Sequence, residues 1–361
     1  PTMEWARGFL RRYRLNALSE RVFQEQLDTY KLLLVLSHRT LADTEESEEQ
    51  AIARVEAVPE HAREDEVRNL VHDQVKAILG QLGAELGTRP TQDPTAAAFR
   101  LGVRPSSIPG ARHGVFLEKG SCRAGQVILF YPGLVIRPHH ISRMPGFPRI
   151  LDPYHMLAIA HGGAVIDPYH VSAPGAPAES LLPDIDEDTG EDPSLELLLQ
   201  RLGDPLTVEN RLALGHLVNH SGASLSPNVA SINYFFPANV PADLEALVPN
   251  KMWDPAGIPK SKTVSVFEKR GLARRFVNET NRMADMYADR TIVTAREGQA
   301  AIPSQVMVTT SPIEEGEEVL LDYRFNPLMK AKWPAWYEPH DAVAAMRRWS
   351  GNSMRGEGED I

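Results

Sequence analysis

Apolar residues recur at two different periods along this chain of 361 residues, and the change of period divides it. Over residues 4 to 36 the spacing predicts a helix, with Trp5, Phe9 and Tyr13, then Leu18 and Val22, on one face. Arg7, Arg11, Arg12 and Arg14 stand between them. An acidic stretch follows (Asp43, Glu45, Glu46, Glu48, Glu49), and Pro59 breaks the pattern. Val67, Val71, Val75, Ile78 and Leu82 then return at spacings of three and four, which predicts a second amphipathic helix ending near Gly83 or Gly87. Residues 1–100 are therefore expected to form an N-terminal helical appendage without a catalytic constellation.

From Pro105 the period shortens. Val115-Phe116-Leu117, Val127 to Tyr131 and Leu134-Val135-Ile136 are short apolar runs set off by Gly and Pro, which is a strand signature. Further strands are expected over Val229 to Phe236 and Val306 to Thr310, and a helix over 207 to 218 leading into Asn219. These runs make 105–328 a mainly β domain. Two segments interrupt it. One is an acidic, Pro-flanked loop near 171–193, which lacks the EF-hand pattern and is read as solvated. The other is a basic insertion near 251–302. The tail, 329–361, carries Trp333, Trp336 and Trp349, expected to anchor it.

Charge and composition narrow the function classes. A formal net charge of −10 argues against a surface that embraces nucleic acid as a whole. In the basic insertion, Glu268, Glu279, Asp285 and Asp289 are interleaved with the cations, which favours a solvated flap over a nucleic-acid contact. No apolar run reaches the ~20 residues of a membrane-spanning helix, so no membrane span is expected. Cys122 is the only cysteine, which excludes an intramolecular disulfide and a thiolate zinc cluster. His155, His161, His170 and His216 lack paired ligand spacing and are read as satisfied surface or core histidines. The Arg-rich N-terminus has two readings, a mitochondrial transit peptide or a helix lying on the main domain. Glu4, Glu20 and Glu25 favour the second.

Four short motifs carry chemistry only when taken together. They are Arg112-His113-Gly114-Val115-Phe116, Tyr131-Pro132-Gly133, Asn219-His220-Ser221 with Pro227-Asn228, and Glu317-Glu318-Val319-Leu320-Leu321-Asp322-Tyr323. In this order they resemble the signature of a SET domain, the fold that moves a methyl group from S-adenosylmethionine to a protein lysine. The resemblance spans roughly 108 to 326. It implies a mainly β protein with helical appendages: a β-clip fold of small curved sheets closed by a C-terminal pseudoknot, a rare threaded topology.

It also implies roles. Arg112, His113, Gly114, Asn219, His220 and Tyr323 would contact the cofactor, S-adenosyl-L-methionine; Tyr323 would orient the reactants; Tyr131 would line the channel for a protein or peptide lysine. Two departures stand out. Arg112 replaces the usual first glycine of the cofactor turn, and five residues separate Ser221 from Pro227, a longer loop than the family's. The branch without zinc clusters is the most similar, through Tyr131-Pro132-Gly133 and Leu247-Val248-Pro249-Asn250. An intracellular address, nucleus or cytoplasm, goes with that reading.

The chemistry explains these residue types. In-line transfer to an amine is accelerated mainly by orientation, worth ~7–11 kcal/mol. The lysine must first lose its proton from a reference pKa of ~10.4, which an apolar channel and a nearby sulfonium charge both favour. Asn219, with two donors and an acceptor, suits an adenine edge. Glu314, Glu315, Glu317 and Glu318 are read as a solvated turn. The alternative function is a SET fold that has lost turnover and serves as an interaction module.

Overall fold

A computed structural model describes residues 27–37, 48–88, 99–137, 158–159, 164–168, 171–172, 206–237, 240–253, 301–325, 327, 330, 333 and 336–349. The first of these is helical (α1), as the N-terminal periodicity predicts for its last turns. The rest of the segment expected to be helical, most of the acidic loop, nearly all of the basic insertion, and His155, His161 and His170 lie outside the described residues.

Helix α2 (Glu48–Ala57) ends just before Pro59, and α3 (Arg63–Glu85) follows. Its stripe Val67, Val71, Val75, Leu79 and Leu82 is buried, and Glu64, Asp65 and Glu66 complement the positive end of its dipole. At its C-terminus Gly87 adopts φ +74°, and the amides of Leu86 and Thr88 donate to the carbonyls of Leu82 and Gly83. Only a glycine turns there without steric cost, which is why the helix stops near the expected place.

The strands are β1 (Arg100–Pro105), β2 (His113–Lys119), β3 (Val127–Tyr131), β4 (Gly133–Ile136), β5 (Ala158–Ile159), β6 (Val165–Asp167), β7 (Val171–Ser172), β8 (Leu206–Thr207), β9 (Asn219–His220), β10 (Val229–Pro237), β11 (Asn250–Met252), β12 (Ala301–Thr309) and β13 (Leu320–Leu321). They make small sheets: β1-β2, β3-β12-β10-β13-β9, β11-β4-β6-β5 and β7-β8. The protein is mainly β with a few helices. Segment 207–218 is not the expected helix. Thr207 ends strand β8, and apart from the single 3-10 turn Gly215–Leu217 the rest is irregular, because its groups bond outward: Phe130 N–H donates to Leu212 C=O (2.9 Å), and the Asn210 side-chain amide donates to Leu247 C=O (2.9 Å).

Helix α3 packs into the same core as the sheets, with Val67, Val71 and Val75 joining Ile128, Phe130 and Val306. Polar contacts fix its register. Gln74 donates to Gly125 C=O and accepts from Val127 N–H, both at 2.9 Å, and so completes the start of β3. His72 Nδ1 lies 2.8 Å from the Tyr234 hydroxyl. In the tail, Trp349 is buried at the end of helix α4 (Ala342–Trp349), whereas Trp336 is 52% exposed, so the tryptophans do not all anchor as expected.

Candidate functional site

Strand β13 lies between two partners drawn from earlier in the chain. Leu320 pairs in parallel with Asn219, Leu321 with His220, and Leu321 also with Val229 on the other side. Just ahead of it, Val319 N–H donates to Val115 C=O (2.7 Å) and Leu117 N–H to Glu317 C=O (3.0 Å), which ties the closing motif to β2. Three of the four sequence motifs thus meet at one corner. Asn228 belongs to it despite the longer loop before it. Its side-chain amide donates to Glu318 C=O and its carbonyl accepts from Leu320 N–H, both at 2.8 Å, so the side chain extends the β ladder by one rung.

Glu318 is the hub of this corner. Its Oε1 accepts from the Ser106 hydroxyl (2.7 Å) and lies 3.0 Å from Asn219 Nδ2, while Oε2 accepts from the Ser107 amide (2.8 Å) and hydroxyl (2.5 Å). Only 7% exposed, it is not part of a solvated turn, in contrast to Glu314, Glu315 and Glu317. The charge pattern alone could not separate it from its neighbours. Burial acts to raise its carboxyl, but hydrogen bonds from Ser107, Ser106 and Asn219 outweigh burial and hold it below the ordinary value.

The same network accounts for Gly114. A Cβ there would collide with the Glu318 carboxylate and come within 3.0 Å of Asn219 Nδ2, so the glycine makes room for the network. Asn219 Nδ2 also contacts Ser106 Oγ (3.0 Å) and His113 C=O (2.9 Å). Its two donors are therefore spent on the turn rather than left for a ligand, and only its carbonyl oxygen stays without a described partner. Arg112 is exposed, and His113 Nδ1 is buried without a protein partner.

His220 is a clamp. Nε2–H donates to Glu338 C=O (2.7 Å), which leaves Nδ1 to accept from Tyr323 N–H (3.3 Å). Its ring stacks on Tyr337 (4.6 Å, 21°). No ring nitrogen is left over for a ligand.

Tyr323 donates its hydroxyl to Val218 C=O (2.9 Å), one residue before Asn219. The residue keeps partial exposure while its hydroxyl end is enclosed, and burial pushes the phenol up to about 12. The next residue, Arg324, adopts φ +54°, at a cost of ~1–2 kcal/mol for a residue with a Cβ. Asp28 of α1 meets Arg324 (3.6 Å) and the buried Arg348 of α4 (2.7 Å), so both ends of the described chain brace this bend. Trp336 stands edge-on to Tyr323 (6.1 Å, 80°), a neighbour the sequence reading took for a tail anchor.

Tyr131, at the end of β3, is 8% exposed and edge-on to His216 (6.4 Å, 78°). His216 is a core histidine but not a satisfied one, since neither ring nitrogen has a protein partner. Among the described residues no group of three or more His, Cys, Asp or Glu could hold a metal, and no helix is long and apolar enough to cross a membrane. No protein-family model, no curated protein and no solved structure matches the chain.

Proposed function

We propose that this chain is an S-adenosylmethionine-dependent protein-lysine N-methyltransferase built on a SET fold. The observation that carries the reading is the register of β13 on β9, Leu320 to Asn219 and Leu321 to His220, with the Tyr323 hydroxyl over Val218 C=O. Two motifs that the resemblance ties to one site, a hundred residues apart, are neighbours residue by residue. The interleaving of β13 between β9 and β10 also supports the threaded closure of that fold.

Several groups fit the cofactor. His113 Nδ1 is a buried polar atom without a protein partner, Asn219 offers a carbonyl oxygen, and Trp336 presents a half-exposed indole beside Tyr323. An aromatic face suits a cationic sulfonium. The His220 ring does not fit a ligand role and instead fixes the Tyr323 backbone. When bound, S-adenosylmethionine supplies an electrophilic methyl group on sulfur. The chain's own task is orientation. A phenol raised to about 12 stays protonated at neutral pH, so Tyr323 aligns reactants through its oxygen lone pairs and is not the base.

The second reading, a SET fold acting as an interaction module, is favoured by one observation: the Asn219 donors are taken up by Ser106, His113 C=O and Glu318, and the space at Gly114 by Glu318. Calorimetric titration with S-adenosylmethionine, followed by methylation of a peptide array, separates the two. Binding with transfer to lysine supports the enzyme; absence of both supports the module.

A further inference from the structure

The turn Gly215–Leu217 buries a histidine with no structural employment. His216 is 3% exposed, and neither ring nitrogen has a hydrogen-bond partner in the protein. A neutral imidazole carries one donor and one acceptor, and both lose their hydration here without replacement. Native interiors rarely tolerate this, and the exceptions gather at functional sites.

Its position is fixed. Gly215 packs so closely on β3 that a Cβ would come within 2.8 Å of Phe130 C=O. The imidazole lies against Tyr131 on one side of the chain's path, and two residues later Val218 C=O holds the Tyr323 hydroxyl. It therefore stands on the stretch that links the two tyrosines assigned to methyl transfer. A second orphan flanks the same tyrosine: Asn250 donates from Nδ2 to Tyr131 C=O (3.0 Å) and keeps Oδ1 buried without a partner. Two uncharged acceptors beside Tyr131 would repel an anion. They suit the N–H groups of a neutral amine.

We propose that the His216 imidazole contacts the substrate, its unprotonated nitrogen accepting a hydrogen bond from the lysine amine and so aiming the amine lone pair. This inference rests on the methyltransferase reading above. Burial holds the imidazole far below its ordinary range, at about 3, so the ring accepts the hydrogen bond without taking the proton.

The test uses the full chain, S-adenosylmethionine, and the best lysine peptide from an array. His216→Phe keeps a ring and removes both orphaned nitrogens. The expected result is a Tm higher by about 2–4 °C, unchanged cofactor affinity, and kcat/KM for the peptide lowered on the order of tenfold. His216→Gln returns an acceptor and should recover part of that loss. Unchanged peptide kinetics in His216→Phe would overturn the inference alone, as would a lower Tm with turnover tracking only the folded fraction. A wild-type chain that binds no cofactor and methylates no peptide would overturn the methyltransferase reading, and this inference with it.

Discussion

Glu318 Oε1 and Asn219 Nδ2, ninety-nine residues apart in sequence, lie 3.0 Å from each other and lock the closing motif to the turn that holds Gly114. The contact joins a carboxylate to an amide in a nearly buried setting, where a charged acceptor is about twice as strong as a neutral one. The stability of this corner should therefore follow the charge on Glu318.

Because the folded Glu318 carboxyl lies below its ordinary value, its contribution is complete above the unfolded carboxylate range of ~4–4.5. It is lost as pH falls through the folded value. Thermal unfolding from pH 7 to pH 3 should show a steeper acid loss for the wild type than for Glu318→Gln, whose Tm is lower at pH 7. Parallel curves would show that the carboxylate is not the stabilising group.

Asn219→Ala removes the donors facing Glu318, Ser106 and His113 C=O. A loss of ~1–3 kcal/mol is expected, shared between folding stability and affinity for S-adenosylmethionine. Calorimetry beside denaturant unfolding measures both. If affinity and stability are both unchanged, the motif has no such role.

Tyr323→Phe deletes the hydroxyl that rests on Val218 C=O. If that phenol also aligns amine and methyl, single-turnover methylation by the folded mutant should slow on the order of 10²-fold, beyond the ~1 kcal/mol of stability lost with the Val218 hydrogen bond. If it only satisfies a carbonyl, the same stability loss is seen but turnover follows the folded fraction.

Gln74→Ala tests the helix-to-sheet join. It strips a donor from Gly125 C=O and an acceptor from Val127 N–H, and should cost ~1–3 kcal/mol. The urea midpoint should fall with an unchanged m-value; a changed m-value would mean that α3 comes away by itself.

The apolar pattern was enough to foresee α3 and five of the strands, β2, β3, β4, β10 and β12, since Val67 through Leu82 recur at helical spacing and runs such as Val127 through Tyr131 are short and set off by Gly and Pro. It failed over 207–218, where apolar residues at helical spacing are held by non-local bonds such as Phe130 to Leu212. Motif order pointed to the segments that meet at β13, three of the four motifs. The tasks of their side chains were not legible there. Whether Asn219 faces a ligand or Glu318, and whether His220 keeps a free nitrogen, depends on which backbone groups arrive from β13 and the tail. The isolation of His216 is a matter of three-dimensional packing, and no spacing rule encodes it.

The place of β13 also orders events during synthesis. Its partners Asn219, His220 and Val229 leave the ribosome long before Leu320, and contacts of such separation are made late. Until then β9 and β10 have an open slot between them, the Val218 carbonyl has no hydroxyl to accept from, and Asn219 has no carboxylate to hold. The corner around Asn219 is thus incomplete until the closing segment arrives, and a premature stop before Leu320 leaves most of the chain without the strand that joins β9 to β10.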